Sequence, residues 1–248
     1  MRIAVAGATG NIGSRTVAAL EGNGHEAVRI SRSHGVDLLD PRGLDQVLSG
    51  VDAVVDVMNG PATDPLEAIT WFTTASRNLL AAEEQAGVRH HVLLSIACLH
   101  RVGGNAHYAA KRAQEQVVTE GPIPWTIVPA TQFHDFAAMV TARTERDGVA
   151  TVAPLLLQPV APGDVAGVLA ELAAGDPQGR YADLAGPEPQ DMVDMARRTL
   201  QAQGRTVKLI PTWDGPFSTE MAGKVMLPDP DNVRLAPTTF DEWLAGPH

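Results

Sequence analysis

The chain has 248 residues, 44% of them hydrophobic, which suits one or two globular domains whose core needs no disulfide or metal. Its formal net charge of −10 and the lack of clustered Lys and Arg exclude a protein that tracks the nucleic-acid backbone. No apolar run approaches the roughly 18 residues of a membrane span, and a lone cysteine excludes an intrachain disulfide. We therefore expect a cytoplasmic monomer or homodimer with a small-molecule substrate, no nucleic-acid or membrane partner, and no metal.

Short apolar runs alternate with amphipathic segments in the first 130 residues, which is typical of a parallel sheet covered by helices on both faces. Asp64, Pro65 and Glu67 predict a helix start, and Gly87 predicts its end. We predict strands at 2–6, 26–30, 51–57, 91–95 and 124–128, and helices at 12–22, 64–86 and 105–120. The C-terminal part predicts helices at 164–174 and 191–203 and short strands at 149–152, 180–184 and 207–210.

This order of elements predicts a doubly wound parallel-sheet Rossmann fold with a small C-terminal substrate-capping region. We expect residues 1–248 to form a single domain of this fold. Within it, residues 1–130 would be the doubly wound core and 131–248 a mixed, substrate-capping portion.

A glycine motif directly follows the first strand and directly precedes the first helix. Gly7, Gly10 and Gly13 give the spacing G-x-x-G-x-x-G, with Thr9, Asn11 and Ile12 between them. The first glycine permits a sharp turn, the second lets the backbone approach a pyrophosphate, and the third brings helix and strand together. The motif predicts a dinucleotide site; a purely structural turn is the alternative.

The end of the second strand bears on which dinucleotide is bound. An NAD-specific site places a carboxylate there for the ribose 2′-hydroxyl, whereas this chain has Ser31, Arg32 and Ser33. A guanidinium suits a 2′-phosphate, so NADP(H) is expected in preference to NAD(H). We place Asp37 on the next short strand, near the adenine, with a turn cap as the alternative.

These residues resemble the atypical, NmrA-like branch of the short-chain dehydrogenase/reductase superfamily, and the likeness covers nearly the whole chain. Its segments are GATGNIG at 7–13, GVDLLDPRGL at 35–44, LSGVDAVVDV at 48–57, NLLAAEEQAGVRHHVLLS at 78–95, YAAKRAQE at 108–115, IPWTIVPATQF at 123–133, QPVAPGDVAGVLAEL at 158–172 and LAGPEP at 184–189. The resemblance implies a nicotinamide over the carboxyl ends of the strands. It also implies cofactor contacts from two groups of residues, namely Val57, Met58, Asn59 and Ser95, and Pro129, Ala130 and Thr131.

Enzymes of this superfamily use Y-x-x-x-K on a helix, where the lysine binds the nicotinamide ribose and lowers the pKa of the proton-donating tyrosine. This chain departs from that pattern, because Lys111 is preceded at four residues by His107 and at three by Tyr108. Three interpretations stay open: His107 donates the proton, Tyr108 donates it, or Lys111 acts on the ribose alone. Ser95 is a further catalytic candidate.

Phe133, His134 and Phe136 follow the last segment of the resemblance and are expected to line the substrate pocket, with helix packing as the alternative. Two functions follow. The first is an NADP(H)-dependent oxidoreductase that reduces a small carbonyl, quinone or enone. The second is a non-catalytic, NADP(H)-responsive regulator or scaffold, which the altered Y-x-x-x-K motif motivates.

Overall fold

The structure is a computed structural model that describes residues 1–60, 64–215 and 217–246. The strands are β1 (Arg2–Ala6), β2 (Glu26–Ile30), β3 (Ala53–Asp56), β4 (His90–Ile96), β5 (Trp125–Ala130), β6 (Val149–Val152), β7 (Leu156–Leu157), β8 (Gly179–Arg180), β9 (Asp183–Ala185), β10 (Gln190–Asp191), β11 (Lys208–Pro211) and β12 (Val233–Leu235). The helices are α1 (Asn11–Gly22), α2 (Leu44–Val47), α3 (Pro65–Ala86), α4 (Ala106–Thr119), α5 (Phe136–Thr144), α6 (Pro162–Ala173), α7 (Met192–Ala202) and α8 (Phe240–Ala245). Among the residues described, none of the helices combines the length and apolarity needed to cross a bilayer.

The chain divides into two compact units that alternate along the sequence. Unit 1 comprises residues 1–95, 106–129 and 162–182, and unit 2 comprises residues 96–105, 130–161 and 183–248. The prediction of a single domain divided at residue 130 stays a prediction.

Unit 1 contains a sheet with the strand order β8-β5-β4-β3-β1-β2. β1 pairs in parallel with both β2 and β3, and β3 pairs in parallel with β4. On one side α1 packs against α6, and on the other α3 packs against α2 and α4. Ala4 and Ala6 of β1 share a buried cluster with Leu79 of α3, while the alternate residues Ile3 and Val5 are also fully buried. A mostly parallel sheet covered on both faces confirms the predicted Rossmann-type α/β fold.

Local capping signals account for the ends of the long helix α3. The Asp64 carboxylate accepts a hydrogen bond from the amide of Glu67 at 2.8 Å, and Pro65 occupies the first turn. At the other end Gly87 adopts φ +75°, the left-handed conformation that ends a helix at glycine. Both ends of α3 lie where the sequence predicts them.

Unit 2 is built from smaller pieces. β6 pairs in parallel with β11, β7 pairs antiparallel with β10, and β9 pairs in parallel with β12. Helix α5 packs on α7 and on β6, so that Ala137 and Val140 are buried.

Two predicted strands differ from the structure. Asp37 lies outside any strand, because its carboxylate accepts a hydrogen bond from the amide of Leu39 at 3.0 Å and starts a turn. Placing Asp37 on a strand was therefore wrong, and the turn cap is the interpretation the structure supports. The predicted strand 180–184 is divided into β8 and β9, which are separated by two non-strand residues.

Candidate functional site

The glycine turn between β1 and α1 requires glycine at both ends. Gly7 adopts φ +85°, and its amide donates to the carbonyl oxygen of Ile30 at 3.0 Å. A Cβ on residue 13 would overlap the backbone carbonyl of Gly7. Because only a hydrogen fits there, α1 can begin directly at Asn11 and pack against the turn.

The N-terminus of α1 is left open to an anion. Its N-cap is Gly10, so no side chain at this position accepts a hydrogen bond from the first helical amides. The first turn of α1 contains no acidic residue. The first amides of a helix lack intrahelical acceptors and carry the positive end of the helix dipole. Thr9, Gly10 and Asn11 are exposed beside them, whereas Ile12 is buried. This arrangement fits the pyrophosphate of a dinucleotide.

Three predicted cofactor segments meet at the carboxyl ends of β2, β1 and β3. A Cβ on Gly7 would lie 2.9 Å from the carbonyl oxygen of Val57 and 3.0 Å from the Cα of Met58. The amide of Val57 in turn donates a hydrogen bond to the carbonyl oxygen of Ala6 at 3.0 Å, and Asn59 follows in the same loop. The structure thus brings the glycine turn, the end of β2 and the loop 57–59 together.

A 3₁₀ turn over Arg32–His34 follows β2. The Ser31 hydroxyl lies 2.8 Å from Nδ1 of His34 and 3.0 Å from the hydroxyl of Ser33. Arg32 is exposed, and the turn contains no carboxylate. These side chains offer a guanidinium and two hydroxyls to an anionic group.

Lys111 is directed into the interior of unit 1. Its Nζ donates to the carbonyl oxygen of Leu94 at 2.7 Å and to Oε1 of Gln114 at 2.5 Å, and the residue is only 5% exposed. Burial lowers the pKa of Lys111 to about 8, although Asp56 and Glu115 act in the opposite direction.

The two residues that compete for the tyrosine position lie in different surroundings. The ring of His107 packs edge-on against Phe72 of α3, with centroids 5.8 Å apart, and is half-buried. Tyr108 is 6% exposed. Both residues lie in the first turn of α4, and the choice of proton donor stays open.

Ser95, near the end of β4, is bound to a buried carboxylate. Its hydroxyl donates to Oε1 of Glu115 at 2.5 Å, and the other oxygen of Glu115 accepts from Nη1 of Arg180 at 3.0 Å. The ion pair fixes Glu115, and Glu115 in turn orients the Ser95 hydroxyl. Ser95 was predicted from the sequence, whereas Glu115 and Arg180 were not, because only the tertiary structure brings them to Ser95.

The remaining predicted residues lie at or after the end of β5. Pro129 is buried in unit 1, and Ala130 is buried in unit 2. In unit 2, the Thr131 hydroxyl donates to the carbonyl oxygen of Gln158 at 2.6 Å. The Thr131 side chain is therefore held by a backbone carbonyl of unit 2.

The three predicted substrate-pocket residues have aromatic or backbone partners within unit 2. His134 is 1% exposed, and its ring lies 5.5 Å from that of Phe240 and 5.6 Å from that of Trp243. Phe136 packs edge-on against Phe217, and Phe133 forms a bridge with Val160. Their substrate role stays a prediction, and the burial of His134 favours packing for that residue.

A buried polar cluster lies between the sheet and helices α3 and α4, and it was not predicted from the sequence. Its members are Asp56, Ser76, Glu83, His91, Lys111 and Gln114. The one signal in the sequence is an aspartate inside the apolar run of β3, which requires a buried partner. Within the described part of the chain, no cluster of three or more His, Cys, Asp or Glu residues has a metal-binding arrangement.

Comparison with known proteins agrees with this geometry. Over 144 aligned residues the chain is 31% identical to (4-alkanoyl-5-oxo-2,5-dihydrofuran-3-yl)methyl phosphate reductase of Streptomyces griseus. That alignment covers 53% of this chain and 48% of the relative, so the chain matches about half the length of that protein.

Two solved reductases share the fold. Triphenylmethane reductase of Citrobacter sp., solved with NADP(H), superposes with a TM-score of 0.66 at 20% identity, over 86% of this chain and 79% of that one. The NADPH-dependent quinone oxidoreductase of Escherichia coli, solved with NADPH, gives a TM-score of 0.67 at 18% identity, over 85% and 78%.

The family comparison covers more than half of the chain. Residues 33–176 match the family described as NAD(P)H-binding, which confirms the predicted NAD(P)-binding character of the chain. The matched region begins after the glycine turn, so turn and match are independent indications of the same ligand. The chain belongs to the NAD(P)H-binding family.

Proposed function

We propose that this protein is an NADP(H)-dependent reductase of a small carbonyl, quinone or enone compound. The observation that supports this most is the uncapped N-terminus of α1 behind the Gly7–Gly13 turn, in a chain of an NAD(P)H-binding family. The reaction class is suggested by the names of similar proteins, which reduce a dihydrofuranone phosphate, a triphenylmethane compound and a quinone.

The preference for NADP(H) over NAD(H) is argued from the turn after β2. Arg32 is exposed there between two serines, and the first carboxylate downstream, Asp37, bonds to the amide of Leu39. A guanidinium pairs with a phosphate in fork geometry, whereas a 2′-hydroxyl gains little from it.

Substitution of Arg32 tests this preference directly. We expect Arg32→Ala to weaken NADPH binding about tenfold or more, with little change for NADH, since one charge-assisted contact contributes about 1.5–3 kcal/mol. Arg29→Ala is the matched control, because Arg29 lies on β2 and pairs with Glu21 at the surface. Equal losses for both coenzymes, measured by calorimetric titration, would contradict the preference.

In this proposal the amides of Asn11, Ile12 and Gly13 bind the pyrophosphate, which approaches the backbone at Gly10, and Val57, Met58 and Asn59 contact the nicotinamide half. Ser95, Pro129 and Lys111 complete the proposed cofactor contacts of unit 1, and contacts from Ala130 and Thr131 stay a prediction. The reduced nicotinamide, when bound, supplies a hydride. The chain itself must bind and orient the coenzyme, and a proton must reach the substrate oxygen or carbon from a side chain or from water.

His107 and Tyr108 are the two residues of α4 that could supply that proton. We would compare His107→Ala with Tyr108→Phe, measuring the turnover number while NADPH is saturating. A loss of 100-fold or more, on the order of the usual contribution of a general acid, identifies the donor. If both variants keep the full rate, neither is the donor and the proton comes from water.

A second function, an NADP(H)-binding regulator without turnover, is favoured by one observation. The ammonium of Lys111 is bound to Leu94 and Gln114 inside unit 1, and its tyrosine is displaced by one position from the usual spacing. A panel of quinones, aldehydes and enones separates the two functions. Tight NADPH binding with no oxidation by any acceptor supports the regulator and contradicts the reductase.

A further inference from the structure

A line of buried polar side chains crosses unit 1 from α3 to α4. Nδ1 of His91 lies 2.9 Å from Oε1 of Glu83, and its Nε2 lies 3.8 Å from Oδ2 of Asp56. That same Asp56 oxygen accepts from Nε2 of Gln114 at 2.9 Å, and Oε1 of Gln114 accepts from Lys111. Asp56, Glu83, His91 and Gln114 are fully buried.

The ionisable groups of this line alternate in sign, so each buried charge has an opposite neighbour. Burial raises the pKa of Asp56, against which His91 and Lys111 act. Burial alone would lower the pKa of His91, but Glu83 and Asp56 outweigh it and the pKa is raised. Glu115 on α4 is the other carboxylate acting on Lys111, and it is paired with Arg180.

Asp56 also connects this line to the loop after β3. Its Oδ1 accepts a hydrogen bond from the amide of Met58 at 3.0 Å, while its Oδ2 faces Gln114 and His91. The orientation of the Gln114 amide is fixed, because its oxygen accepts from Lys111 and its nitrogen donates to Asp56 and Ser76. The Asp56 carboxylate therefore holds the loop 57–59 by its Met58 amide and also fixes the orientation of Gln114, the partner of Lys111.

We propose that Asp56 is a positioning residue of the cofactor site, which fixes the loop 57–59 through the Met58 amide, orients Gln114 toward Lys111 and supplies a counter-charge to Lys111. This inference rests on the proposed function, in which that loop and Lys111 contact the nicotinamide half. Asp56 itself is fully buried beneath the loop and acts through these two partners.

The decisive measurement is NADPH affinity as a function of pH, for the wild type and Asp56→Asn. The asparagine keeps an acceptor for Met58 but removes the negative charge and sets an amide NH₂ against the Gln114 NH₂. Lys111 then loses a counter-charge, so the alkaline loss of affinity should begin about one pH unit lower than in the wild type. Affinity at neutral pH should also fall, by about tenfold.

Exchanging the two groups provides a rescue. In Asp56→Asn/Gln114→Glu the carboxylate moves to position 114, directly against Lys111, and the net charge is unchanged. We expect the alkaline limb, meaning the pH range in which NADPH affinity falls as the pH rises, to begin at the wild-type pH or above it. The single variant Gln114→Glu should also shift the limb upward, which keeps the inference testable if Asp56→Asn does not fold.

Ser76→Ala is the matched control, because it removes the other acceptor of the Gln114 amide without changing any charge. Its alkaline limb should coincide with that of the wild type. If wild type binds NADPH but neither Asp56→Asn nor Gln114→Glu moves the limb, Asp56 is only a packing residue and this inference is overturned. If wild type binds neither coenzyme, the proposed function fails and this inference fails with it.

Discussion

At Gly13, the packing of the fold and the proposed cofactor site both require a residue without a Cβ. Its missing Cβ lets the first turn of α1 contact the carbonyl of Gly7, so the helix amides stand directly behind the turn. Gly22, at the other end of α1, has no atom within contact distance of the position its Cβ would occupy. One helix thus contains a glycine required by contact and one that is not.

We expect Gly13→Ala to destabilise the fold by about 1–3 kcal/mol, as overpacking against a rigid backbone does. NADPH affinity should fall by more than tenfold, because the displaced helix moves its amides. Gly22→Ala should instead stabilise the protein by about 0.5–1 kcal/mol, since alanine is the better helix former. Denaturant unfolding and calorimetric titration measure both effects, and equal behaviour of the two variants would contradict this account.

At the level of elements, α3 shows how a few polar contacts set the start of a helix. Its 22 residues begin where the Asp64 carboxylate caps the amide of Glu67. We expect Asp64→Ala to lower the free energy of unfolding by about 1 kcal/mol, because an N-terminal amide loses its acceptor. Asp64→Asn keeps that acceptor and should be nearly neutral in thermal or denaturant unfolding. A large loss in the asparagine variant would mean that the charge, not the cap, matters.

The elements also show which parts of the structure were predictable. β1, β2 and the ends of α3 were predicted correctly because their signals are local: an apolar run, an N-cap with proline, a glycine past the C-terminus. The segment around Asp37 was misassigned because a side chain bonding to the backbone two residues ahead competes with a strand.

The partners of the buried Asp56 could not be predicted from the sequence. Glu83, His91 and Gln114 come from α3, β4 and α4, and only packing brings them to Asp56. The glycine turn needed no such information, because its residues are contiguous and their spacing alone specifies a turn. Contiguous parts of the candidate site were therefore predictable, and parts assembled from several elements were not.

On the scale of the whole molecule, two adjacent histidines couple stability to pH in opposite directions. His90 lies 2.8 Å from the Thr126 hydroxyl and 3.1 Å from the carbonyl oxygen of Gly175, and burial lowers its pKa. A lowered pKa in the folded state contributes stability above pH 6.5, which is lost as the pH falls through the folded pKa. His91, with its raised pKa, contributes stability below pH 6.5 that is lost as the pH rises.

We predict that acid sensitivity depends on His90. Between pH 7 and 5 the free energy of unfolding of the wild type should fall more steeply than that of His90→Asn, which has no proton to take up. His25→Asn, at a half-buried position where Nδ1 lies 3.4 Å from the N-terminal amine, is the histidine-to-asparagine control. Parallel denaturation curves for wild type and His90→Asn across this range would count against the assignment.

The alternation of the two units along the chain has a consequence for shortened versions of this protein. Helix α6 lies beyond residue 160, yet it belongs to unit 1 and packs against α1 and β3. A fragment that stops after β5 contains the whole glycine turn but lacks the helix that packs against α1. Unit 1 therefore cannot be isolated by cutting the chain after β5. Its fold becomes complete only after the ribosome has synthesised α6.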